Sequence, residues 1–135
     1  MADNTQKALA GEDLELIQDF LQESEGHLSN VEAALLSIEA NPHDKEALHS
    51  AFRAFHTIKG ISGFLGLTEI QSLTHEAETL LDLARGGKLL ITSEVVDLVL
   101  AAKDSLKILI QDVARAVAGE PPLVEAQTQI RSAHI

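Results

Sequence analysis

Residues 42–65 read PHDKEALHSAFRAFHTIKGISGFL, and their core-type side chains recur every three or four positions. This spacing places those side chains on one face of an amphipathic helix. Asn41 is the predicted N-cap, Pro42 the first helical residue, and Gly66 the residue that ends the segment. The predicted buried face is Leu48, Ala51, Phe52, Phe55, Ile58, Ser62 and Leu65.

Three further segments, residues 11–40, 68–86 and 92–118, carry the same helical period. Thr68 and Gln71 resemble a capping box at the start of the second of these. No stretch alternates apolar and polar residues as a half-buried strand would. Four amphipathic segments with short connections predict an all-α fold, an antiparallel up-down four-helix bundle. The buried residues predicted for the three segments are Ile17, Leu21, Ser24, Leu28, Val31, Leu35 and Ile38, then Ile70, Leu73, Ala77, Leu80, Leu81 and Ala84, then Val95, Val99, Ala102, Leu106, Leu109 and Val113.

The bundle is expected to occupy residues 11–118 of the 135-residue chain. Residues 1–10 are small and polar, which is typical of a mobile tail. Residues 119–135 begin with Gly-Glu-Pro-Pro, and we expect either a proline-containing linker or a short fifth helix there.

Composition excludes several classes of protein. The chain has 21 acidic and 10 basic side chains, a net charge of −11 that disfavours nucleic-acid binding. It has no cysteine, which excludes disulfides and thiolate sites. We expect no membrane insertion, because charged residues interrupt every apolar run, and the N-terminus does not resemble a secretory signal. The expected location is the cytoplasm.

A second face of the 42–65 helix carries the candidate chemistry. Lys59 follows His56 by three residues, so both side chains reach the same spot above the helix. Glycine inside a helix costs about 1 kcal/mol relative to alanine, so glycines here need an explanation. They either open the face to another protein that approaches His56, or allow close packing between helices. The members of this face are His49, Arg53, His56, Gly60 and Gly63.

An exposed histidine of this kind can accept a phosphoryl group. The ring must be neutral, with one nitrogen free to attack and the other donating its proton to a fixed acceptor. A nearby cation should offset the charge of the transferred group, and Lys59 suits that role. The acceptor must come from a neighbouring helix, and spacing alone does not choose it. The 68–86 segment supplies a polar stripe, Gln71, His75, Glu78, Asp82 and Arg85.

Four runs of sequence together resemble a known signature. They are AFRAFHTIKG at 51–60, SGFLGL at 62–67, THEAE at 74–78 and LLDLAR at 80–85. The chain resembles histidine phosphotransfer (HPt) domains over residues 12–118, and within them the phosphorylatable domain of CheA-type chemotaxis histidine kinases.

The resemblance implies a role for each matching residue. His56 would be the phosphorylated residue, Lys59 the lysine beside it, and Gly60 the glycine that permits close approach. Glu78 would hydrogen-bond the imidazole, and His75 would match a second histidine of the site. The surface expected to meet partners comprises His49, Arg53, Gly60 and Gly63.

The implied function is that of a phosphocarrier. A separate kinase ATP-binding domain would phosphorylate His56, and an aspartate on a response-regulator receiver domain would take the phosphoryl group. We expect no ATP site, metal or other cofactor in this chain, and a monomer when it is isolated. It could be free-standing or part of a larger CheA-type kinase, and we favour the latter.

Two alternatives belong to other functional classes. The first is a non-catalytic helical adaptor whose His56 face only docks a receiver or kinase domain. The second is a carboxylate-bridged di-metal bundle, which needs Glu-x-x-His on two helices. The chain has one such motif at Glu46 and His49 and no second copy.

Overall fold

The computed structural model describes residues 13–121 of the chain. They form four helices joined by short connections. Helix α1 packs against α2 and α4, and α3 also packs against α2 and α4, as in a four-helix bundle. The all-α prediction is confirmed. The predicted tail at residues 1–10, and a fifth helix after the prolines, lie outside the described residues. The helices are α1 (Asp13–Ala40), α2 (Lys45–Phe64), α3 (Thr68–Arg85) and α4 (Ser93–Val117).

The core combines one face of each helix and is built mainly from the predicted residues. Ser24 is buried as predicted, and its hydroxyl donates to the carbonyl oxygen of Phe20, 2.6 Å away. The pattern assigns Val95, which is only half-buried, to the core in place of Val96. The apolar core residues that the pattern misses are Phe20, Ala34, Ala47, Ala54, Leu67, Val96 and Ile110. Because α1 contacts both α2 and α4, its buried face is wider than a single stripe, and Phe20 lies within that extra width.

The predicted start of α2 is wrong. The N-cap is Asp44, whose Oδ1 accepts a hydrogen bond from the Ala47 backbone N–H at 3.0 Å. The Ser37 hydroxyl donates to Asp44 Oδ2 at 2.6 Å, which ties the end of α1 to the start of α2. Asn41 instead closes the preceding turn, because its Oδ1 accepts from the backbone N–H of His43.

The predicted capping box of α3 is also wrong. Thr68 is the first residue of the helix, and the N-cap is Leu67, which makes no side-chain capping bond. The turn before α3 is closed by the backbone. The Leu67 N–H donates to the Ser62 carbonyl oxygen at 2.8 Å, and Gly66 adopts a φ of 74°. This tight connection, residues 65–67, sets the register of α3 against α2.

Lys103 is a buried charge that the apolar pattern of α4 does not predict. Its Nζ lies 2.8 Å from Asp104 Oδ1 and 3.7 Å from Glu32 Oε2 on α1. The hydrogen bond that the Lys103 ammonium donates to Asp104 raises the pKa of Lys103, against the opposing effect of burial. The lysine therefore stays charged and links α4 to α1. None of the helices within residues 13–121 is both long and apolar enough to cross a membrane.

We predict that Asp44→Ala lowers the melting temperature more than Asn41→Ala, because Asp44 caps α2 and Asn41 does not. Hydrogen bonds from Ser37 and then Ala47 lower the pKa of Asp44. The stability that the ionised Asp44 carboxylate contributes is therefore fully present above the ordinary aspartate pKa of about 3.9. It is lost as pH falls through the lowered pKa of Asp44 in the folded state. Asp44→Asn keeps a capping oxygen and should lose less stability than wild type on acidification.

Thermal unfolding followed by circular dichroism at pH 7 and pH 3 measures both effects. A larger loss of melting temperature in Asn41→Ala than in Asp44→Ala would contradict the assignment of the cap.

Candidate functional site

One carboxylate on α3 bridges two side chains on α2. Glu78 Oε2 lies 3.3 Å from His56 Nδ1, and Glu78 Oε1 lies 2.9 Å from Lys59 Nζ. The Glu78 side chain is 14% exposed, whereas that of His56 is 61% exposed. The carboxylate is thus held below the surface with both oxygens occupied, and the imidazole stands above it in solvent.

The bridge determines which imidazole nitrogen is free in the neutral ring. An ionised carboxylate only accepts hydrogen bonds, so the nitrogen that faces Glu78, Nδ1, carries the proton. No hydrogen bond among residues 13–121 involves Nε2 of His56. Nε2 therefore has an available lone pair on an exposed side chain, which is the arrangement that a histidine nucleophile needs.

An aromatic ring lies against this imidazole. The Phe52 and His56 rings stack with their centroids 5.8 Å apart and their planes 12° from parallel. The Arg85 guanidinium carbon lies 3.6 Å from the centroid of the Phe52 ring, in cation–π contact. Arg85 also bonds to Asp82 at 2.9 Å and contacts His49 Nδ1 at 3.2 Å.

The contacts between α2 and α3 repeat every seven residues. Glu78 on α3 contacts His56 and Lys59 on α2. Arg85 lies seven residues after Glu78 on α3. It contacts His49 and Phe52, which lie seven residues before His56 and Lys59 on α2. Seven residues are nearly two helical turns, so antiparallel helices in a fixed register present equivalent positions at about 10 Å intervals. His56 thus lies between two layers of cross-helix contacts.

The two glycines of this face differ in their surroundings. A Cβ on Gly63 would lie 2.5 Å from Gln71 Nε2, so Gly63 allows that side chain to pack over α2. A Cβ on Gly60 would meet nothing within 4 Å. Packing within the bundle therefore explains Gly63 and does not explain Gly60, which leaves the surface one turn beyond His56 open.

The remaining predicted residues lie at the edges of this site. His75 is exposed, and within residues 13–121 its imidazole makes no hydrogen bond to His56, Lys59 or Glu78. Arg53 lies on the α1 side of α2, where it lines a shallow cavity with His27.

The di-metal alternative finds no site in the described part of the chain. No group of three or more His, Asp or Glu side chains within residues 13–121 could hold a metal ion. The nitrogen Nδ1 of His49, part of the single Glu-x-x-His motif, instead accepts from Arg85.

Sequence reasoning missed the stacking role of Phe52, which it assigned to the buried face, and the contacts of Arg85. A signal was present in the sequence. His49, His56 and Gly63 are seven residues apart on α2, and Gln71, Glu78 and Arg85 are seven apart on α3. In antiparallel order, His49 pairs with Arg85, His56 with Glu78, and Gly63 with Gln71. That pairing would have predicted all three layers of contacts between α2 and α3.

Comparisons with known proteins find relatives by sequence and by fold. The sequence model of the family described as "Hpt domain" matches residues 15–118. Chemotaxis protein CheA of Bacillus subtilis is 35% identical over 117 residues, which are 85% of this chain and 17% of that protein. The chain therefore spans less than a fifth of the length of this curated relative.

Solved structures show the same architecture. The CheA phosphotransferase domain from Thermotoga maritima has a TM-score of 0.73 and 35% identity, over 77% of this chain and 99% of that one. The phosphorylated P1 domain of CheA3, solved in complex with CheY6 from R. sphaeroides, has a TM-score of 0.72 and 26% identity, over 89% of this chain and 93% of that one.

We predict that Glu78→Gln shifts the tautomer equilibrium of the neutral His56 imidazole. A glutamine amide can donate as well as accept, so it no longer selects the ring form with the proton on Nδ1. Nitrogen-15 NMR of the neutral imidazole measures the two populations. Wild type should hold the proton on Nδ1, and Glu78→Gln should populate both forms.

Glu76→Gln is the matched control, because it removes the same charge from an exposed position on the same helix. Identical tautomer populations in wild type and Glu78→Gln would contradict the proposed hydrogen bond.

Proposed function

The chain belongs to the Hpt domain family, and from that premise we propose that His56 carries phosphoryl groups from a kinase ATP-binding domain to a receiver domain in a chemotaxis-type phosphorelay. The observation that carries the proposal is the bridge from Glu78 to His56 Nδ1 and Lys59 Nζ. It leaves Nε2 of an exposed imidazole as the nucleophile.

In the first transfer, the Nε2 lone pair attacks the γ-phosphorus of ATP bound to a separate kinase domain. The nitrogen–phosphorus bond forms as the bond between the γ-phosphorus and its bridging oxygen breaks, and ADP leaves with that electron pair. The ring becomes positively charged at this stage, and Glu78 stabilises it through the Nδ1–H hydrogen bond. Lys59, held by the same carboxylate, supplies positive charge beside the phosphoryl group.

In the second transfer, a carboxylate oxygen of a receiver aspartate attacks the same phosphorus. The nitrogen–phosphorus bond breaks, and its electrons return to Nε2, which regenerates the neutral ring with its proton on Nδ1. Support for a partner of this kind comes from the related P1 domain, whose phosphorylated form was solved in complex with CheY6.

Both partners must bring a reacting group to within bonding distance of Nε2, which requires an unobstructed surface. His56 is 61% exposed, and the space above Gly60 is open. Phe64, at the end of α2, is 77% exposed and lines a shallow groove with Leu16 and Gly60. A largely apolar groove that Gly60, one turn from His56, helps to line supports direct docking of a partner on this face.

The direct test is phosphorylation by a CheA-type kinase core that lacks its own Hpt domain, with labelled ATP. Wild type should acquire an acid-labile, alkali-stable label, and His56→Gln should acquire none. His43→Gln, at an exposed histidine outside the site, should be labelled as wild type. Absence of label on wild type, with the core active on its own Hpt domain, would contradict the proposal and favour the docking adaptor.

We predict that Gly60→Gln stabilises the fold and slows transfer. Its Cβ meets no neighbour, and glycine in a helix interior costs about 0.5–1 kcal/mol relative to a good helix former. A side chain at this position would hold both partners away from Nε2, and a misplacement of about 1 Å is enough to slow transfer on the order of ten-fold or more.

Gly26→Gln provides the matched control, because Gly26 is an exposed glycine on α1 whose added Cβ also meets nothing within 4 Å. Both variants should gain stability in urea unfolding, and only Gly60→Gln should slow phosphorylation and transfer to a receiver. Transfer at the wild-type rate by Gly60→Gln would show that no partner approaches over this residue.

A further inference from the structure

The layer of contacts on one side of His56 consists of His49, Phe52 and Arg85. Arg85 has no role in the two transfer steps described above. Arg85 is the last residue of α3, and three partners fix its guanidinium. They are Asp82 at 2.9 Å, His49 at 3.2 Å and the Phe52 ring, whose centroid is 3.6 Å from the guanidinium carbon. A planar guanidinium can bond along its edge and stack through its face at the same time, which a lysine ammonium cannot do.

Phe52 connects this layer to the imidazole. Its ring contacts Arg85 and also stacks on His56, with the ring planes 12° from parallel. We propose that Arg85 is a positioning residue for phosphoryl transfer: it holds the Phe52 ring in place, and that ring fixes the plane of the His56 imidazole. This inference rests on the proposed function of His56.

The hydrogen bond to Glu78 does not fix the ring plane by itself. A single bond at Nδ1 anchors one atom, and a 61% exposed side chain can still rock about that anchor. The lone pair of Nε2 lies in the ring plane, so rocking turns it away from the line of attack on phosphorus. A second restraint on the ring face, supplied by Phe52, keeps the lone pair aligned and reduces the cost of reaching the reactive geometry.

A merely stabilising role for Arg85 predicts different behaviour from a positioning role, and so does a direct contact with a partner. Loss of positioning lowers the maximal rate of phosphorylation and leaves the KM for this protein as the kinase substrate unchanged. Loss of a partner contact raises that KM. Loss of stability alone lowers the melting temperature and changes neither constant while the protein stays folded.

The kinetic test compares Arg85→Met with wild type as substrates of the same kinase core. The maximal rate should fall about two- to five-fold, the factor that corresponds to a cation–π contact at an exposed site, with KM unchanged. Phe52→Leu should act in the same direction. Arg115→Met is the control, because Arg115 is a partly exposed, ion-paired arginine at the end of α4.

Arg85→Lys is the second variant. It keeps the positive charge at the C-terminal end of α3, where charge favours the helix, and removes the planar group. It should show the same fall in maximal rate, which keeps the inference testable if Arg85→Met does not fold.

Carbon-13 relaxation of the His56 ring in the unphosphorylated protein provides a readout that needs no kinase. Arg85→Met and Arg85→Lys should increase the amplitude of ring motion, and Arg115→Met should not. Unchanged ring motion with an unchanged maximal rate, or a change in KM alone, would overturn the inference. If wild type takes no label at all, the proposed function fails, and the relaxation data still decide the role of Arg85.

Discussion

The register between α2 and α3 is the constraint on which the site depends. Three residues join the two helices, and the bond from the Leu67 N–H to the Ser62 carbonyl oxygen closes the turn around Gly66. An antiparallel pair in this register brings the same positions together every seven residues. A slip of one residue would rotate Glu78 about 100° around its helix, away from His56. The chemistry of the imidazole therefore follows from the geometry of a connection about three helical turns away.

Within that register, a single carboxylate performs two tasks. Glu78 selects the protonated nitrogen of His56 and holds Lys59 beside it, so the proposed nucleophile and the proposed compensating charge share one anchor. The layers on either side have different contents. In one layer, the missing side chain of Gly63 leaves room for the Gln71 side chain. In the other, the Arg85 guanidinium packs on the Phe52 ring. Under the proposed function, a rigid support with one open side would let two different partners use the same nitrogen in turn.

The helical period in the sequence was sufficient to predict four helices and most of the core, because burial in a bundle depends on which face each residue occupies. It did not predict the caps, because Asn41 and Asp44 are both good capping residues and only the turn geometry decides between them. Family resemblance singled out His56, Lys59 and Glu78, whereas spacing alone did not choose a partner for the imidazole from the polar stripe of α3. Lys103 escaped prediction because its partners include Glu32 on α1, distant in sequence.

We propose that Glu78 occupies Nδ1 and leaves Nε2 as the nitrogen that carries the phosphoryl group. The most direct measurement is phosphorus–nitrogen coupling by NMR in protein labelled with nitrogen-15 at histidine and phosphorylated by a kinase core. We predict that the phosphoryl group is bonded to Nε2 of His56, with the proton still on Nδ1. A phosphoryl group on Nδ1, or on another histidine, would contradict this role of Glu78.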